Sequence, residues 1–147
     1  YQTAGNLFAN RDFDTNEIQK IIKIEIEKYR LSFKDSKEGF IKNWPTNYNL
    51  NGWLISMKKG GKLSAHMHEL GCLSGSIYIN VPQKSELESG NLVVCIDENE
   101  NKNENKKSID VVTGSLCLFP SSLLHYTIPF ESEENRIVLA FDMIPNL

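Results

Sequence analysis

The change of hydrophobic period near residue 53 constrains the fold most. Before it, Ile18, Ile21, Ile22, Ile26 and Tyr29 recur at helical spacing. Apolar residues three and four positions apart share one helix face. Asp14 and Glu17 stand at capping-box spacing ahead of that pattern. A helix is therefore expected over about residues 15–31, amphipathic and packed on something larger. From Trp53 onward the period is two. Leu73, Gly75, Ile77, Ile79 and Val81 alternate with Ser74, Ser76, Tyr78 and Asn80, and Pro82 ends the run. Further strands are expected at 53–57, 63–68, 91–97, 109–112, 115–119, 125–128 and 136–143. Turns fall at Lys59-Gly60-Gly61, Gly90, Thr113-Gly114, Pro120 and 132–135. Many short strands after one helix point to a sandwich or jelly roll rather than a parallel sheet.

Length agrees with one domain over 1–147: a helix and connecting loop over 1–50, and a β core over 51–147. Residues 34–52 are polar and turn-rich. Trp44 and Tyr48 within them are expected to cover a core edge, with a substrate lid as the alternative. Residues 98–108, rich in Asn, Glu and Lys, read as a solvated loop or hairpin tip.

Charge and apolar content narrow the function. With 16 Lys+Arg against 19 Asp+Glu the net charge is −3, which excludes the global phosphate attraction of a basic nucleic-acid binder. No apolar run approaches the roughly 18 residues that cross a bilayer, and no leader of charged then apolar residues opens the chain, which starts at Tyr1. No nucleic-acid or membrane partner is expected. Cys72, Cys95 and Cys117 are widely spaced with no C-x-x-C pair, so neither a zinc ribbon nor a dithiol motif is indicated. Cys95 and Cys117 read as buried strand residues, and a reduced, cytoplasmic setting is expected.

All three histidines lie in the β region. His66 and His68 are two apart, so an extended backbone projects both to one face. His125 follows far along the chain. A jelly roll brings distant strand ends together at its mouth, and imidazoles there would suit Fe, Zn, Cu or Ni. The competing reading is three unrelated histidines. Arg136 opens the last apolar strand, ten residues beyond His125. Inside a barrel its guanidinium would need an anion and suits a carboxylate. On position alone, a surface pair with Glu131, Glu133 or Glu134 is the simpler reading.

The run SAHMHELGCLSGSIYINVP (64–82) resembles the metal-binding strand of the 2-oxoglutarate/Fe(II) oxygenases. GSLCLFPSSLLH (114–125) resembles their segment carrying the distal histidine, and His125 with Arg136 matches their His-x10-Arg spacing. The resemblance covers about 50–145. It implies a double-stranded β-helix of the prolyl-hydroxylase-like type, cupin-like in form, with the helix packed outside. It implies Fe(II) held by His66 and His125, and 2-oxoglutarate as cosubstrate, anchored by Arg136. The activity implied is that of a dioxygenase, most simply a hydroxylase of a small molecule or peptide.

Two departures stand out. The usual carboxylate two residues after the first His is His68 here. His68 is favoured as third ligand, over Glu69 or a site with two protein ligands. The hydroxyl residue common two positions after the Arg is Val138, and Tyr78 and Ser74 are candidate replacement donors. Two rival readings stay open: a three-His cupin-like metalloprotein not using 2-oxoglutarate, and a non-catalytic jelly-roll binding module.

Overall fold

The computed structural model describes residues 1–95 and 105–146. A 3-10 turn at Leu7–Ala9 leads into α1 (Phe13–Ser32), followed by the short α2 (Gly39–Lys42). Seven strands follow among the described residues: β1 (Tyr48–Met57), β2 (Leu73–Asn80), β3 (Leu92–Cys95), β4 (Lys106–Ile109), β5 (Leu116–Pro120), β6 (Leu124–Thr127) and β7 (Arg136–Pro145). They form a four-stranded sheet, β1-β7-β2-β5, and a three-stranded sheet, β4-β3-β6. Every pairing is antiparallel. This is a jelly roll, the double-stranded β-helix expected.

The larger sheet is covered on both faces. On its outer face Ile22 and Ile26 of α1 join Phe8, Leu50, Leu73, Leu139, Phe141 and Met143 in one cluster. On its inner face Tyr78 and Val138 meet Leu92, Val94, Val111 and Phe119 between the sheets. Strand β7 therefore reads as an almost continuous buried run, as a strand covered on both faces must. Its parity still sorts the side chains: Leu139, Phe141 and Met143 go to the helix side, while Arg136, Val138 and Ala140 line the interior. In β2, Leu73 and Ile77 pack toward α1, and Ser76 and Tyr78 line the interior. Gly75 admits the Phe141 ring, whose edge occupies the place a Cβ would take.

Several expectations change. The helix begins at Phe13, and its N-cap is Asp12, whose carboxylate accepts the Thr15 backbone N–H at 2.8 Å. Asp14 lies in the first turn instead, and Ile21 is exposed. Strand β1 starts at Tyr48 rather than 53, since β7 offers ten paired positions from Tyr48↔Pro145 to Met57↔Arg136. Trp44 and Tyr48 pack against the α1 cluster, with Trp44 stacked on Tyr29 at 6.4 Å, so they cover a core edge and line no part of the interior. Residues 63–68 form no strand; they contribute one bridge, His66↔His125. The expected strand at 109–112 lies at 106–109, paired from Leu92↔Ile109 to Cys95↔Lys106. Its lysines suit an edge strand, and their polarity disguises it as loop. The rest of the expected polar loop, 98–104, lies outside the described residues, as do positions 96 and 97 of the strand expected at 91–97.

The outer face depends on the helix contact. Ile26→Ala is expected to destabilise the protein by about 2–4 kcal/mol, read as a lowered urea midpoint.

Candidate metal centre

Backbone pairing brings the histidines together. His66 N–H donates to His125 O at 3.1 Å and His125 N–H returns to His66 O at 3.0 Å. His68 N–H donates to Ser121 O at 3.0 Å, which draws the next turn of chain against the same strand end. The rings follow: centroids of His66 and His125 are 4.3 Å apart, of His66 and His68 5.1 Å, and of His68 and His125 5.0 Å. One ligand nitrogen from each lies within 4.8 Å of the others. The two-residue spacing thus acts as an extended strand would, although the segment is not a formal strand.

The tautomers are set by hydrogen bonds on the far side of each ring. His66 Nδ1 donates to Ser64 O at 2.8 Å and His125 Nδ1 to Leu123 O at 3.0 Å. Carbonyls only accept, so both Nδ1 atoms carry protons and leave an Nε2 lone pair. His68 Nδ1 donates to Asp142 Oδ1 at 2.6 Å. With the Nδ1 atoms turned to these acceptors, the three rings keep their Nε2 atoms for a shared ion, and three imidazoles are a donor set that suits iron. Burial, reinforced by the two neighbouring imidazoles, pushes His125 down to about 4, so its ring is neutral near pH 7.

The interior beyond the histidines is a cavity of about 250 Å³. Trp53, Ile55, Leu63, Phe119 and Val138 supply apolar walls. Arg136 lies in the same cavity and is only 2% exposed. Its Nε donates to Gly90 O at 3.2 Å, from a turn where Gly90 takes φ 75°, a conformation natural to glycine. Its guanidinium carbon lies 5.4 Å from the Tyr78 ring centre. Burial lowers the Arg136 pKa and raises that of Tyr78 to about 12, so the pair stays a cation beside a neutral hydroxyl. The simpler surface reading of Arg136 is thus corrected: it makes no ion pair among the described residues, and Glu131 and Glu133 face Lys59 instead. A buried, unpaired guanidinium is costly without an anion.

The other candidates divide. Tyr78 lines the cavity beside Arg136 and pairs with Val138 across β2 and β7. Ser74 does not line it: its hydroxyl donates to Asp142 Oδ1 at 2.6 Å and meets Ser121 Oγ at 2.8 Å. Glu69 is exposed and outside the histidine cluster. Sequence reasoning misses Asp142 and Trp53. Asp142 shares the strand parity of Arg136, a signal present in the alternation of β7. Trp53, whose ring centre lies 5.6 Å from that of His68, reads only as the start of a strand.

A three-histidine centre at the mouth of a double-stranded β-helix, with a buried arginine in the same cavity, defines a class of metal-dependent jelly-roll proteins. Residues 51–142 match the family described as "Putative 2OG-Fe(II) oxygenase", and the chain belongs to that family. No curated protein matches the chain. Solved structures share its fold. One is a Pseudomonas putida prolyl-4-hydroxylase, 14% identical, TM-score 0.58, aligned over 84% of this chain and 63% of its own. Another is an oxidoreductase of the 2OG-Fe(II) oxygenase family from Burkholderia pseudomallei, 13% identical, TM-score 0.53, over 72% and 49%. A third is HygX from Streptomyces hygroscopicus with nickel and 2-oxoglutarate bound, 15% identical, TM-score 0.53, over 68% and 59%. The chain thus spans about half to just under two thirds of the length of these structures. No helix among the described residues is long and apolar enough to cross a membrane.

A buried neutral His125 links stability to pH. Its folded pKa lies below the unfolded value of 6.5, so the unfolded chain binds the extra proton. The stability it supports is complete above pH 6.5 and is lost as pH falls toward 4. Metal-free protein is expected to lose about 2–3 kcal/mol over that window. Urea unfolding at pH 7.5, 6 and 4.5 measures this, and His125→Leu flattens that part of the profile.

Proposed function

We propose that this chain is an Fe(II)- and 2-oxoglutarate-dependent dioxygenase that hydroxylates a small molecule or a peptide. The observation that carries the reading is the shared cavity: three converging imidazoles and a buried arginine without a carboxylate partner among the described residues. His66, His68 and His125 would hold iron, and Arg136 the far carboxylate of 2-oxoglutarate, with the Tyr78 hydroxyl supplying the donor that Val138 lacks. Together the bound metal and cosubstrate supply oxidation of a C–H bond, consuming dioxygen and releasing succinate and carbon dioxide.

The chain's own contribution is placement. Ligands drawn from one side of the mouth leave the other side for small molecules. The guanidinium offers two parallel donors to a carboxylate, a geometry that fixes orientation as well as affinity. The apolar walls exclude water around the reacting centre. A cavity of about 250 Å³ is small beside the roughly 300–1,000 Å³ of drug-sized pockets. Substrate therefore presents its reacting group from the mouth, where Trp53 stands beside His68. The free thiols of Cys72 and Cys117 support a reduced, cytoplasmic setting.

Three neutral ligands in place of two and a carboxylate favour one rival, a cupin-like metalloprotein that does not use 2-oxoglutarate. Iron-dependent turnover of 2-oxoglutarate to succinate separates them, and metal binding with no measurable 2-oxoglutarate affinity would decide for the rival. Calorimetry with Ni(II)-loaded protein tests the anchor. Arg136→Ala is expected to weaken 2-oxoglutarate binding by at least about 2 kcal/mol, beyond the ~1 kcal/mol of a surface pair. An unchanged dissociation constant removes Arg136 from the role. Comparing Ni(II) affinity after His68→Ala and Glu69→Ala tests the third ligand: only the first should lose it.

A further inference from the structure

The three imidazoles are not equivalent. His66 and His125 donate their Nδ1 protons to neutral backbone carbonyls, whereas His68 alone donates to a carboxylate, Asp142, at 2.6 Å. Asp142 is 8% exposed and has no Lys or Arg partner among the described residues. The same oxygen accepts from Ser74, which is 1% exposed and itself meets the fully buried Ser121. Strand register sets this up: Ser74 is the direct partner of Asp142 across β2 and β7. Gly71 leaves the room, since a Cβ there would lie 2.8 Å from Ser121 Oγ and 3.3 Å from Asp142 Cβ.

We propose that Asp142 is a positioning residue of the metal centre: its bond to His68 fixes that ring's tautomer and lends the site the negative charge that three neutral ligands lack. The inference rests on the metal-site reading above. The carboxylate expected beside the first histidine is not lost but moved one side chain outward, acting through an imidazole. A carboxylate behind a ligating imidazole raises its basicity and typically changes metal affinity 10–100-fold. Ser74 and Ser121 hold the carboxylate in place, so its orientation does not depend on the metal arriving. A surface ion pair would need neither the burial nor this second layer of donors.

Cobalt(II) is the probe. The metal-free full chain and its Asp142→Asn variant are titrated with Co(II), followed by visible absorption and calorimetry. The asparagine carbonyl can still accept the Nδ1 proton, so the variant removes charge and little else. The expected result is a 10–100-fold weaker Co(II) affinity with a shifted ligand-field band. The midpoint potential of the iron-loaded variant is expected to rise, because the ferric state loses more from removing a nearby negative charge. Affinity within twofold of wild type, with band and potential unchanged, overturns the proposal and leaves Asp142 a fold residue. If Asp142→Asn does not fold, Ser74→Ala decides. It keeps the charge and removes a competing donor, so the iron potential is expected to fall; an unmoved potential overturns the role. A wild-type chain that binds no Co(II) overturns the metal-site reading as well, which distinguishes that failure from failure of Asp142 alone.

Discussion

Strand β7 is hydrogen-bonded on both edges, to β1 and β2, and buried on both faces. One side of its pleat anchors α1 through Leu139, Phe141 and Met143. The other carries Arg136 at one end of the cavity and Asp142 behind His68, six positions apart at the same parity. A slip of one residue would exchange these sets, sending a guanidinium and a carboxylate into the helix interface. The ten-residue register with β1 makes that slip prohibitive, because it would break every pair from Tyr48 to Met57 at once. The same hydrogen bonds that close the core therefore set the chemistry of the interior.

The interior holds its charges in a particular order. Three imidazoles sit at the mouth with their protons turned outward, and the guanidinium of Arg136 lies within the cavity against Tyr78. Each buried polar group has a partner: no buried side-chain nitrogen or oxygen among the described residues lacks one. What is unbalanced is formal charge, since Arg136 has no anion beside it. In a low-dielectric cavity such an uncompensated charge is costly, and an anion beside it would lower that cost. Asp142 pairs with His68 and Ser74 rather than with Arg136, so the guanidinium keeps its charge uncompensated inside the cavity.

Much of this arrangement is legible in the order of residues alone. The β-rich architecture follows from the switch to period two, and the helix from the isoleucine spacing. His66, His68 and His125 stand out because imidazoles at i and i+2 share a face under extended backbone, and the spacing from His125 to Arg136 carries the family resemblance. Misreadings cluster where local composition contradicts tertiary role. Lys106, Lys107 and Ser108 read as solvent loop because an edge strand tolerates lysines. Asp12 rather than Asp14 caps the helix because the hydrogen bond to Thr15 depends on where the chain turns in, which spacing alone leaves open by a residue or two. Ser74 and Tyr78, grouped by parity as two donors, separate because the cavity begins at Gly75, and Ser74 turns instead to Asp142 and Ser121.

Periodicity and turn residues pointed to a β sandwich or jelly roll behind one helix, and the order of three histidines and an arginine, through the family resemblance, pointed to the candidate ligands. These are local properties, set by backbone geometry between near neighbours. Which strand edges meet was decided only in three dimensions. That decision put Asp142 behind His68, Tyr78 beside Arg136 and Trp53 at the mouth. Each pairing joins residues from 15 to 74 positions apart, and no local pattern records a distance that long-range hydrogen bonding alone enforces.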